Sequence, residues 1–106
     1  MINITEVEVF DRQVINGDGL KIVRFCATWS GPCQIMGPIY EEMSSVYKNS
    51  ASFYQIDIDK VPLLKKEFGI IELPTILFFQ NQVIIDFIIG LISREALIEK
   101  LVKAIE

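Results

Sequence analysis

The chain contains no histidine. That absence removes Ser-His and Cys-His catalysis, and with them the commonest metal ligand. Basic clusters are missing too. The longest run is Lys65-Lys66, followed at once by Glu67, and the formal net charge is −4. A nucleic-acid partner needs a basic face, so none is expected. Long apolar runs are also absent. Residues 83–92 are apolar but too short to span a bilayer, and Asp86 interrupts them. Residues 1–10 carry Glu6 and Glu8 and lack a basic end followed by an apolar block, so no secretory signal is expected there. The expected location is therefore the cytoplasm. Cysteine is scarce: Cys26 and Cys33 are the only two, too few for a secreted disulfide framework.

What is present suits a domain that builds its own core. The sequence is 106 residues long, 51% apolar and 23% charged. One domain over residues 1–106 is expected, with no repeat, linker or low-complexity stretch. A chain of this size buries roughly 60–70% of its unfolded surface and needs no staples. It is expected to be a monomer.

Apolar spacing alternates between strand and helix periods. Residues 11–16 read as a short helix, stopped by Asn16-Gly17-Asp18-Gly19. Residues 20–26 read as a strand. Residues 33–47 read as a helix that buries Ile35, Met36, Ile39, Met43, Val46 and Tyr47, with Pro38 inside it and able to kink it. A strand at 52–58 is followed by a short helix at 61–68, closed by Gly69 as a left-handed cap. Strands at 75–80 and 83–89 are joined by Asn81-Gln82 alone, so they must be antiparallel. Ser93 caps a last helix, which buries Leu97, Ile98, Leu101, Val102 and Ile105. Ile76-Leu77-Phe78-Phe79 is apolar on both faces and needs cover on both. The expected class is α/β, with a central mixed β-sheet flanked by helices on both faces.

The chemistry concentrates in Cys26-Ala27-Thr28-Trp29-Ser30-Gly31-Pro32-Cys33, between a buried strand and the start of a long helix. A cysteine there faces the positive end of the helix dipole and unpaired N–H groups, which favour the reactive thiolate. Asp57 and Asp59 alternate along a strand end. They have no third ligand nearby, so they read as a solvated edge, and neither a metal nor another cofactor is expected. Met36 and Met43, seven apart, read as core.

Trp29-Ser30-Gly31-Pro32-Cys33 resembles the active site of the thioredoxin family, whose usual form at this place is Trp-Cys-Gly-Pro-Cys. The resemblance covers nearly the whole chain. Pro38 matches the family's proline in the following helix, Leu73-Pro74-Thr75 its cis-proline segment, and Gly90 a glycine of its docking surface. The resemblance implies the thioredoxin fold, thiol–disulfide exchange and cell redox homeostasis. It implies partners that are proteins or peptides bearing disulfides or thiols, and a thioredoxin reductase as electron donor. It places Trp29, Gly31, Pro32, Leu73, Pro74 and Gly90 at the substrate, with Ile71 and Leu91 beside them.

The departures matter as much. Ser30 stands where the family has its attacking cysteine, and serine cannot form a disulfide. Without a base its hydroxyl is a poor nucleophile; at most it donates a hydrogen bond. Cys33 matches the family's second, more buried cysteine, so dithiol turnover is expected to be slow or absent. Arg24 and Gln55 replace a buried Asp and its Lys partner, a joint change that favours a divergent native protein over a Cys-to-Ser replacement in an active thioredoxin. A non-catalytic peptide-binding module and a scaffold that assembles through an exposed strand stay open as alternatives. Arg24 is expected to carry its head to solvent over a packed stem; the alternative places it beside Cys33, tuning the thiol. Cys26, on the same strand face, is expected to be a small buried apolar residue. The alternative is a Cys26–Cys33 disulfide, which needs Cα atoms within about 7 Å.

Overall fold

The computed structural model describes residues 1–106. Strand β1 (Ile2–Ile4) leads into α1 (Val7–Phe10), which continues through a π-helical turn at Asp11–Ile15. Then follow β2 (Lys21–Cys26), α2 (Gly31–Val46), β3 (Ser52–Asp57), α3 (Pro62–Glu67), β4 (Thr75–Gln80), β5 (Val83–Ile89) and α4 (Arg94–Ile105). The first helix starts earlier than its polar sequence suggests, because Val7, Phe10 and Val14 turn one flank onto the sheet. No helix is long and apolar enough to cross a membrane.

The strands form one sheet in the order β1-β3-β2-β4-β5. The pairs β1–β3 and β3–β2 are parallel; β2–β4 and β4–β5 are antiparallel. This is the mixed sheet expected from the sequence. The β4–β5 turn has φ of 54° at Asn81 and 71° at Gln82, the left-handed pair a two-residue hairpin demands.

Alternation along β2 sorts the core into two halves. Val23 and Phe25 face α1 and α3, where Phe10, Phe68 and Phe79 meet edge to face with centroids 5.5–6.0 Å apart. Ile22 faces α2 and α4, among Met36, Tyr40, Met43, Leu97 and Leu101. Arg24 and Cys26 share the Ile22 face, so they lie beneath α2. In α2 the buried line is Cys33, Met36, Tyr40 and Met43. Ile35 and Val46, expected to be core, are 64% and 62% exposed. The helix carries more apolar residues than its inner face holds, and packing chose the stripe containing Tyr40. Val102 of α4 is likewise exposed, while Leu97 and Leu101 are fully covered.

Register gathers the site at one end of the sheet. Cys26 pairs with Asp57, Phe25 with Thr75, and Thr75 with Ile89. The ends of β2 and β3, the start of β4 and the end of β5 therefore lie together. Truncating Leu97 to alanine should open a cavity between α4 and the sheet and lower the unfolding free energy by about 2–5 kcal/mol. Urea denaturation measures this. An unchanged midpoint would show that α4 does not anchor this half of the core.

Candidate functional site

Helix α2 begins at the redox-type turn, and Ser30 is its N-cap. Ser30 has extended backbone, and its hydroxyl accepts a hydrogen bond from the Cys33 N–H at 3.3 Å. Gly31 and Pro32 follow as the first helical residues, where a missing N–H costs nothing. The serine therefore has a structural task as a helix cap that was not expected from the sequence. Ser30 is buried, whereas Gly31 and Pro32 are exposed.

The structure joins Cys26 to Cys33 as a disulfide, with Cα atoms 5.9 Å apart. This overturns the expectation that Cys26 is only a small apolar filler. The reason is geometric. Cys26 ends β2 on the face that α2 covers, and Cys33 lies in the first turn of α2 on its inner side. Their Cα separation falls within the 4.4–6.8 Å range that disulfides use. Both residues are buried, yet both line a cavity of about 120 Å³ together with Ala27, Thr28, Gln55 and Asp57. The cavity lies at the ends of β2 and β3, where Cys26 and Asp57 are paired.

Arg24 also departs from expectation. Its head does not reach solvent; the residue is 5% exposed. One guanidinium nitrogen donates to the Cys33 carbonyl and another to Gln55 Oε1, each at 2.5 Å. Arg24 and Gln55, singled out together in the sequence, therefore touch each other. The guanidinium lies over the Tyr40 ring, 5.5 Å from its centroid. Nε has no partner. Burial lowers the Arg24 pKa, and the nearby Tyr40 opposes that shift. The bonds run to the carbonyl of Cys33, so Arg24 holds the first turn of α2 rather than its sulfur.

Tyr40 is the residue missed in the sequence. It is fully buried, and its hydroxyl donates toward the Tyr54 carbonyl at 2.7 Å, with the Ile22 carbonyl at 3.1 Å. Burial drives its pKa far above the ordinary tyrosine range, against the opposing effects of Arg24 and the Tyr54 carbonyl. The spacing Met36, Tyr40, Met43 was the available signal; the surplus of apolar neighbours in α2 masked it.

Of the residues expected to form a docking patch, Trp29, Gly31, Pro32, Ile71 and Leu91 are exposed, whereas Leu73 is half-buried and Pro74 and Gly90 are buried. The Leu73–Pro74 peptide is cis. The Pro74 carbonyl accepts from the Gly90 N–H at 2.8 Å, and Gly90 has φ of 84°, a left-handed conformation suited to glycine. Trp29 is 67% exposed, and its indole N–H donates to Asp59 at 2.7 Å. Asp57 in turn accepts from the Asp59 N–H. Ile71 and Leu91 are exposed.

Comparison with known proteins agrees with this geometry. The thioredoxin family model matches residues 1–103. The chain is 38% identical over 80 residues to a thioredoxin of Malassezia sympodialis, covering 74% of this chain and 76% of that one. It is 30% identical over 103 residues to a thioredoxin of Staphylococcus aureus, covering 97% and 96%. The crystal structure of Malassezia sympodialis thioredoxin superposes with a TM-score of 0.91 at 31% identity, over 100% of this chain and 91% of that one.

The capping geometry gives a direct expectation. Ser30→Ala should lose about 1 kcal/mol of stability by denaturant titration, because the Cys33 N–H is left without its acceptor. If Ser30→Ala is as stable as the parent chain, the hydroxyl is not acting as a cap.

Proposed function

The chain belongs to the thioredoxin family, and from that premise we propose that it exchanges thiols and disulfides through Cys33, without the attacking sulfur that its relatives carry at position 30. The family acts on disulfide-bearing proteins. The observation that carries the reading is the pair Ser30 and Cys33 in the first turn of α2: the serine caps the helix, and the cysteine is the only sulfur left in the motif.

The chemistry follows from the atoms present. A thiolate attacks a disulfide sulfur and displaces the other sulfur as a thiolate. Cys33 supplies the thiolate, and the unpaired N–H groups of the helix start favour negative charge there. Ser30 has no sulfur to offer, and no histidine is present to turn its hydroxyl into a nucleophile. Neither a metal nor another cofactor has a part in this reaction.

Substrate docks as an extended peptide across Trp29, Gly31, Pro32, Leu73, Pro74 and Gly90. Exposed Trp29, Ile71 and Leu91 offer apolar contact around that line. Burial of Cys33 makes its encounter with a bulky protein disulfide slow. A thioredoxin reductase or a small thiol returns the protein to its reduced form. A reducing compartment such as the cytoplasm suits this cycle, because its thiol pool keeps Cys33 available.

Insulin reduction tests the reading. The parent chain should reduce insulin slowly, and Ser30→Cys should raise the rate by about tenfold or more, because the added sulfur restores the two-thiol motif. Cys33→Ser should abolish exchange with a small aromatic disulfide. Undiminished exchange in Cys33→Ser would refute the assignment of Cys33, and a Ser30→Cys variant no faster than the parent would refute the role given to the missing sulfur.

A further inference from the structure

Thiol–disulfide exchange leaves one step unassigned if Cys33 acts alone: the mixed disulfide formed on it has no neighbour in the motif to release it. We infer that Cys26 is the resolving sulfur, so that the working redox pair of this protein runs between the end of β2 and the first turn of α2. The inference rests on the reading of Cys33 just given and adds a second catalytic residue to it.

Three observations place Cys26 in that role. It is within bonding reach of Cys33, and the structure joins the two as a disulfide. Each sulfur-bearing residue is fixed by its element. Cys26 is held by pairing with β3, and the Cys33 segment by the Arg24 bond to its carbonyl and by the Ser30 cap. A pair held so closely has a high effective concentration for the intramolecular step. Finally, both cysteines line one cavity at the ends of β2 and β3, whose lining includes none of Trp29, Pro74 and Gly90. A cavity of about 120 Å³ fits a compact disulfide or thiol better than a folded protein.

The steps balance. The Cys33 thiolate attacks one sulfur of a substrate disulfide; a Cys33–substrate disulfide forms, and the other half leaves as a thiolate that takes a proton from water. Cys26 gives its proton to solvent, and its thiolate attacks the Cys33 sulfur. The Cys26–Cys33 bond forms, and the remaining half of the substrate leaves as a thiolate. The protein dithiol has lost two electrons, and the substrate has become two thiols. Two molecules of a small thiol reverse the change, one bonding transiently to the protein and the second displacing it as a small-molecule disulfide.

Oxidised glutathione is the probe. The fully reduced chain, mixed with it and quenched with acid, should release about two thiols per chain and retain no glutathione by intact mass. Cys26→Ala should release about one and keep glutathione on Cys33, with the adduct living at least about tenfold longer than in the parent. Cys26→Ser provides the same readout should the alanine variant fold poorly, and circular dichroism checks both. A purely structural Cys26 would not change this stoichiometry. If the parent chain holds glutathione as long as Cys26→Ala does, Cys26 does not resolve and the inference falls while Cys33 exchange stands. If no form takes up glutathione, Cys33 exchange itself fails and the inference falls with it.

Discussion

The attachment of the start of α2 to the end of β2 governs this molecule. Strand alternation points Ile22, Arg24 and Cys26 at one helix. That helix answers with Tyr40 against Ile22 and Arg24, the Cys33 carbonyl against Arg24, and the Cys33 sulfur against Cys26. A buried guanidinium is costly unless its donors are used. Here two of its nitrogens are bonded and its carbon lies over an aromatic ring, while Nε alone stays unpartnered, so the cation fixes the approach of the helix. Everything proposed about the chemistry depends on that approach, because a small shift of α2 would carry Cys33 out of reach of Cys26.

The same attachment changes the meaning of the serine. In a Trp-x-x-x-Cys turn without its first cysteine, the simplest expectation is a lone thiol that captures a partner and stalls. The structure supplies another sulfur from the strand instead. Ser30 then makes sense as a helix cap whose oxygen satisfies the Cys33 N–H, a task serine performs well. Arg24 and Gln55 face each other across neighbouring strands, the cation on β2 bonded to a neutral amide on β3.

Much of this was legible in the sequence. The hairpin 75–80 and 83–89, the cap at Ser93, the left-handed Gly69 and the helix around Pro38 follow from local rules of turn chemistry and period. The family motif named the fold. Three features were not legible, each for a physical reason. The inner stripe of α2 was ambiguous because Ile35 and Val46 are as apolar as Met36 and Met43, and only packing against β2 selects Tyr40. The fate of the Arg24 head depended on a carbonyl nine residues away in sequence and on Gln55 in another strand. The Cys26–Cys33 contact required knowing that the first turn of α2 crosses above the end of β2. Strand alternation gives the face on which Cys26 lies; it cannot say what covers that face.

On this reading Cys26 and Cys33 behave as one redox couple. Equilibrating the protein across a series of glutathione buffers, then alkylating and counting reactive cysteines by mass, tests it most directly. Both cysteines should lose reactivity together in a single two-electron transition, with no glutathione retained. A chain in which Cys33 takes up glutathione while Cys26 stays alkylatable throughout would contradict it.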